Sequence, residues 1–268
     1  LRQRNHNHAI NKKLVDMLFL FKPDLVVIDG IIGGEGNTPA PVDPVDSRVI
    51  VSGNNSVETD WIATKMMGID PNEIEIVTHA KKMGFGDETV EVIGQVKVTP
   101  FRQADQSLIS DYFNKMFSNV KVLVGHTKST APKINNIEQV NKETVKLIEK
   151  ACIGGCVASL RTGFDYLYYQ EKDLDFKATV VMGAGIPIDG KIYYFDRDGN
   201  AYDVQEIKTF KGPIINFGSC TQDNFGNCKN FISAYGCMPK PGEGFNVVFK
   251  AAKQSNNVFS PKNKQLPK

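Results

Sequence analysis

Ile214-Ile215-Asn216-Phe217-Gly218-Ser219-Cys220 sets the reading of this chain. A short, mostly apolar run stops at a glycine, and a cysteine follows at once. A run of this length bounded by turn residues reads as a strand. The loop leaving such a strand is where α/β proteins commonly place their ligands. Thr179–Met182 and Ile192–Phe195 read as further strands of the same half. A helix from about Lys142 runs into a turn at Cys152–Cys156, a second helix follows through about Tyr169, and a last one covers Phe245–Lys253.

The first half repeats the alternation. Ile10, Leu14, Met17 and Leu18 recur at helical spacing, and Pro23 closes that helix. Leu25-Val26-Val27-Ile28 is a continuous apolar run that reads as a buried strand opening at Asp29-Gly30 onto a Gly- and Pro-rich loop through Pro44. Arg48–Ser52 reads as a second strand. Ser56, with Glu58 and Asp60, reads as the capped, acid-rich start of a helix through Met67. Pro71 opens a helix through Lys82. Val90–Ile93 is strand-like, Asp105–Phe117 helical, and Val120–Val124 a strand.

Strands and helices in alternation imply an α/β protein. Its sheet is expected to be mixed or mostly parallel and flanked by helices, with a cysteine-bearing C-terminal α/β half. The polar stretch Thr127–Gln139 around Pro132 is the natural boundary. It divides the chain into an α/β domain over residues 1–126 and a cluster-binding region over 127–268. The opening Leu1-Arg2-Gln3-Arg4 has no initiator Met and no signal-peptide pattern, so an upstream part is expected.

The net charge of +2 gives no argument for nucleic acid or an anionic membrane. No apolar run reaches the roughly 18–20 residues that span a bilayer. A cytoplasmic location follows as the expectation, because an odd number of cysteines, five, fits poorly with complete disulfide pairing.

All five cysteines lie between Cys152 and Cys237. They form Cys152-Ile-Gly-Gly-Cys156, then Cys220 and Cys228, then Gly236-Cys237-Met238-Pro239. Thiolates beside glycine and proline suit an iron–sulfur cluster, because the turns allow sulfurs to converge and backbone N–H groups to reach them. The preferred ligands are Cys152, Cys156, Cys220 and Cys237 around one 4Fe–4S cluster, with Cys228 as the spare and alternative ligand. A structural zinc, inert thiols or a disulfide remain the alternatives, although the spacing is not that of a zinc ribbon.

Other patterns fail on chemistry. Gly30 to Gly36 follows a strand but lacks the Gly-Lys-Ser/Thr of a phosphate loop, and Glu35 repels phosphate. Gly183-Ala184-Gly185 lacks the third glycine of a dinucleotide turn. Asp196-Arg197-Asp198-Gly199-Asn200 lacks the closing Glu of a calcium loop and reads as a hairpin between Tyr194-Phe195 and Ala201-Tyr202.

A resemblance adds to these readings. Pro23-Asp24-Leu25-Val26-Val27-Ile28-Asp29-Gly30-Ile31-Ile32-Gly33-Gly34-Glu35-Gly36-Asn37 is followed by Asp60-Trp61-Ile62-Ala63, Met67-Gly68-Ile69-Asp70-Pro71 and Gly84-Phe85-Gly86. Together they resemble a domain-of-unknown-function family (three-six-two), whose members are commonly described as iron–sulfur cluster-binding proteins. The likeness covers about Arg4 to Gln95 and is looser beyond. Some members of that family show Cys-x-x-Cys and a terminal Gly-Cys-Pro-Pro. This chain has one more residue in its first pair and Met238 in place of the first proline. The resemblance implies a fold and a cluster but no agreed reaction.

Asp29, Glu35 and Asp60 are the candidate catalytic carboxylates, able to bind a cation or move a proton in a cleft at the strand ends. The competing reading has Asp29 holding its loop, Asp60 serving the helix dipole and Glu35 solvated. His6 and His8, beside Arg2 and Arg4, are candidates for an anionic substrate or the cluster, while His79 and His126 read as packing or surface residues. The loops Gly30–Pro44, after Val124 and after Met182 are expected to wall a pocket beside the cluster.

The expected function is electron transfer or a reductive reaction, as an oxidoreductase. A non-redox lyase or desulfurase with an open iron, and a non-catalytic module with a structural metal, are the alternatives. A redox partner protein or a small-molecule substrate is expected, and a homo-oligomer is compatible with the sequence.

Overall fold

The computed structural model describes residues 2–37, 43–87, 89–127, 130–171, 177–226 and 228–256, without the side chains of 2–9, 241 and 254–256. His6, His8, Arg2 and Arg4, as candidate binding side chains, lie outside the described residues. The chain forms two compact units, Leu1–Ala104 and Asp105–Lys268.

The first unit runs through α1 (Arg2–Met17), β1 (Val26–Gly30), β2 (Gly33–Glu35), β3 (Asp43–Val45), β4 (Val49–Gly53), α2 (Ser56–Met66) and α3 (Glu75–Lys82). β1 pairs antiparallel with β4, and β2 with β3. The strand expected at Leu25–Ile28 exists but is not buried. Its sheet has two strands, and alternate residues face out, Val27 at 61% and Ile50 at 66% exposure. Val15, Val57, Val77, Ala80 and Phe85 make the small core among the three helices.

Local chemistry moves several expected boundaries. Asn55, not Ser56, caps α2: its side chain accepts from Val57 N at 2.9 Å and Glu58 N at 3.3 Å. The expected helix from Pro71 is a 3-10 turn at Pro71–Glu73 followed by α3. Val90–Ile93 is not a strand, and no described strand pairs with it.

The second unit contains α4 (Asp111–Met116), β5 (Val120–Val124), α5 (Lys142–Lys150), α6 (Ala158–Gln170), β6 (Ala178–Met182), β7 (Ile186–Ile188), β8 (Lys191–Phe195), β9 (Ala201–Asp203), α7 (Val204–Lys208), β10 (Ile214–Phe217), α8 (Ser219–Phe225), β11 (Phe231–Ala234) and α9 (Pro241–Asn256). Its sheet has the order β11-β10-β6-β5-β8-β7, with β9 on β8. The four strands from β11 to β5 are parallel, and β8 turns antiparallel against β5. This is the mixed, mostly parallel sheet flanked by helices that the sequence predicts. β8 and β9 form the expected hairpin. The division between Ala104 and Asp105 precedes the polar stretch after residue 126, because β5 is paired on both sides within this sheet.

Both faces of the parallel strands are covered, which explains their continuous apolar character. Val180, Met182, Ile215 and Phe217 belong to the larger core with α5, α6 and α9 residues. Val181, Ile214 and Leu123 face the other way, against Ile207 and Phe225. Each such fully buried side chain contributes about 1.5–3 kcal/mol relative to exposure.

The helix expected over Asp105–Phe117 begins only at Asp111. Two buried ionisable side chains hold the preceding segment out of helix. Glu149 accepts from Ser107 Oγ at 2.6 Å and Leu108 N at 2.8 Å. Arg161, 1% exposed, donates to Ser107 O at 2.6 Å and to Asp165 at 2.7 Å. Ser110 then caps α4, accepting from Phe113 N at 3.1 Å.

Candidate functional site

Three parallel strands end side by side, and the loops that leave them carry the site. In the register of β6, β10 and β11, Met182, Phe217 and Ala234 are level. Cys220 and Cys237 stand three residues beyond Phe217 and Ala234 respectively, so equal loop lengths bring both thiols to the same edge. The two loops are tied together. Gly218 N donates to Ala234 O at 3.0 Å, Ser219 N to Gly236 O at 3.0 Å, and Gly236 N to Ser219 Oγ at 2.7 Å.

The other pair arrives from the helical layer. After α5, Cys152 N donates to Glu149 O at 2.9 Å, and Gly155 N to Cys152 O at 2.9 Å. A π-type turn at Ile153–Val157 then leads into α6. A Cβ at Gly155 would stand 3.0 Å from Cys152 Sγ, so the glycine leaves room for that sulfur. The Cys156 thiol is hydrogen-bonded to Cys152.

Gly218 joins the pairs. At φ +104° it adopts a conformation that glycine reaches without a Cβ penalty. A Cβ there would lie 3.0 Å from Cys156 Sγ and 3.6 Å from Cys220 Sγ. Both sulfurs therefore flank one small patch of backbone.

The electrostatics report the same grouping. The Cys156 thiol is pushed far up by its hydrogen bond with Cys152, then by burial, then by the charges of Cys152, Cys220 and Cys237. Cys220 is pushed up by burial first and by Cys152 and Cys237 next, while N–H bonds from Gly183 and from its own backbone pull it down. Thiolates this close repel one another, and four can ionise together only around a positive centre.

Cys228 is apart from them. Its thiol donates to Phe225 O at 2.6 Å, and it packs against the core on the opposite face of the sheet. None of the five cysteines is disulfide-bonded. Among the described residues, no three His, Cys, Asp or Glu side chains are gathered as a single metal ion requires. The four thiols are neighbours without one common centre. A polynuclear cluster differs from a single ion here, because each thiolate binds its own iron. The soft sulfur donor set, with glycines at Gly155 and Gly218 where a Cβ would crowd the sulfurs, suits such a group.

The carboxylate candidates are in the first unit, and it does not assemble them into one cleft. Asp29 Oδ1 accepts from Ile31 N at 3.0 Å, a local turn of the kind expected. Glu35 is not simply solvated: it accepts from Arg102 N at 2.7 Å and pairs with Arg102 Nε at 3.6 Å. Asp60 lies in the second turn of α2, beyond the first turn where the helix dipole acts most strongly. Its pKa is raised by burial, and it lines a cavity of about 110 Å³ with Leu14 and Ile76. Asp29 instead lines one of about 220 Å³ with Met66, Lys97 and Phe101.

Of the loops expected around the cluster, the one after Met182 contributes Gly183 N–H to Cys220. The one after Val124 is tied to it by Gly185 N donating to Gly125 O at 2.8 Å. His126, directly after β5, is 3% exposed, and His79 is on α3. Sequence reasoning quoted Gly183, Gly218, Ser219 and Gly236 without giving any of them a specific contact at the site, and it missed strand β11. The repeated order of strand, glycine and cysteine at Phe217–Cys220 and Ala234–Cys237 is the signal that marks them.

Comparison with known families concerns the other end of the chain. The family model described as Domain of unknown function (DUF362) matches residues 1–65. This stretch is similar to DUF362. The resemblance seen in the sequence is borne out there, and the DUF362 match ends well before the first cysteine. The thylakoid-associated protein sll1697 of Synechocystis sp. is 27% identical over 85 residues, 32% of this chain and 26% of that protein. The chain therefore matches about a quarter of that relative's length. No solved structure matches. Among the described residues, no helix is long and apolar enough to cross a membrane.

Proposed function

We propose that the second unit holds one 4Fe–4S cluster through Cys152, Cys156, Cys220 and Cys237, and that the protein works in electron transfer or a reductive reaction. One observation carries this reading. Four of the five thiols are neighbours at the carboxyl ends of adjacent parallel strands, while Cys228 is turned to the other face.

A bound cluster supplies a one-electron store whose potential depends on charge, exposure and hydrogen bonds to sulfur. The chain's own groups act on each of these. Gly183 N–H and the Cys220 N–H donate to the Cys220 sulfur and stabilise its negative charge. Cys152 and Cys156 sit in the larger core with Val157 and Phe217, which excludes water from that side. Thiols that gather without a disulfide suit a reducing compartment, and we assign the protein to the cytoplasm on that ground. Its counterpart is a redox partner protein or a small reducible molecule.

Anaerobic purification followed by iron, sulfide and zinc analysis tests the proposal. A brown protein with about four irons and four sulfides per chain, whose broad visible absorbance bleaches on reduction, is the expected result. A colourless protein carrying one zinc per chain overturns it.

A further inference from the structure

The four thiols differ sharply in access. Cys156 is 3% exposed and Cys152 is 7%, both inside the larger core. Cys220 is half-buried in the first turn of α8, its sulfur held by two backbone N–H groups. Cys237 alone is exposed. It lies in the loop beyond β11, between Tyr235, 58% exposed, and the exposed Lys240. The first three sulfurs are embedded in helix, strand end and core, whereas the fourth reaches the site from solvent.

We infer that the corner held by Cys237 is an exchangeable ligand position, open to a small soft donor such as a thiolate or sulfide from solution. The inference rests on the proposed cluster and names what that site receives. Access decides it: a molecule from solvent reaches this corner without displacing any core residue, while the Cys152 and Cys156 corners are closed by packing. Chemistry decides the ligand class, because the position is built for sulfur and iron in such a cluster prefers thiolate. The exchange is a substitution, one sulfur donor leaving the iron as another binds it, with no change in electron count. Cys152, Cys156 and Cys220 remain as the permanent anchors.

The test compares Cys237→Ala, Cys237→Ser and Cys156→Ala with the unaltered chain. Each is reconstituted anaerobically with iron and sulfide, with and without 2-mercaptoethanol, and read by iron content and electron paramagnetic resonance. Both Cys237 variants are expected to hold about three irons per chain without the thiol and to regain the fourth with it. Cys156→Ala is expected to lose the cluster under both conditions. If the unaltered chain assembles a cluster but the Cys237 variants hold no iron even with thiol, the exchangeable corner is wrong while the cluster reading stands. Equal rescue of Cys156→Ala also overturns it. An unaltered chain that binds no iron and sulfide removes both.

Discussion

Gly218 and Cys156 are in contact across the end of β10: a Cβ on the glycine would stand 3.0 Å from the Cys156 sulfur. The two residues come from different layers, one from the sheet and one from the helical turn, and they meet only because Gly218 has no side chain. Gly218→Ala meets two penalties, a left-handed φ of +104° and a displaced thiol. We expect a loss of about 1–3 kcal/mol in stability and a fall in bound iron per chain. Urea unfolding and iron analysis check both. Wild-type iron content in this variant would show that the glycine does not shape the site.

Cys228 tests the choice of ligands. Its thiol is committed to Phe225 O on the far side of the sheet, so Cys228→Ala is expected to leave iron and sulfide content unchanged. The lost buried contact costs at most about 1–2 kcal/mol, read as a modest shift in unfolding midpoint. Loss of the cluster on this substitution would exchange Cys228 for one of the proposed four.

The support beneath the site depends on close helix packing. α6 and α9 touch through Gly163 and Gly244, where added Cβ atoms would lie 2.5 Å from Gly244 O and 2.0 Å from Ser159 O respectively. Either glycine replaced by alanine forces the helices apart, at a cost of about 1–3 kcal/mol or more. A thermal melt that is unmoved by Gly244→Ala would contradict the contact.

Glu149 makes stability depend on pH. Burial raises its carboxyl from 4.5 to about 7, partly opposed by its bonds from Ser107 and Leu108. A folded-state pKa above the unfolded value means that the group's favourable contribution is complete below about pH 4.5 and is lost as pH rises through about 7. The whole swing is about 3 kcal/mol. Glu149→Gln cannot ionise, so this fall between pH 4.5 and 7 should flatten, while the acceptor for Leu108 N is retained. Denaturant midpoints across that window measure it, and an unchanged slope would refute the assignment.

Much of the fold was legible in the chain, because short apolar runs between turn residues mark strands, and in the second unit those strands are covered on both faces. Thr179–Met182 and Ile214–Phe217 became β6 and β10 at the centre of the sheet. The failures have local causes. Val90–Ile93 has strand-like composition but no described strand beside it. Asp105–Ser110 is kept out of helix by Glu149 and Arg161, which come from distant parts of the chain. Phe231–Ala234 escapes a reading by pattern because its alternation is brief, although it carries the loop of Cys237.

Composition and pattern by themselves determined the α/β class and the confinement of cysteine to one half, and motif resemblance added the likeness to DUF362, which the family model matches over residues 1–65. Only the tertiary structure decided which thiols are neighbours. Parallel register sets Phe217 level with Ala234, three residues before Cys220 and Cys237, and the turn before α6 brings the Cys156 sulfur against Gly218 at the same edge. Spacing fixes the face of a side chain only within one strand, and Cys228 lies between α8 and β11, outside any strand. That face separates Cys228 from the other four, and it is settled by strand pairing and packing alone.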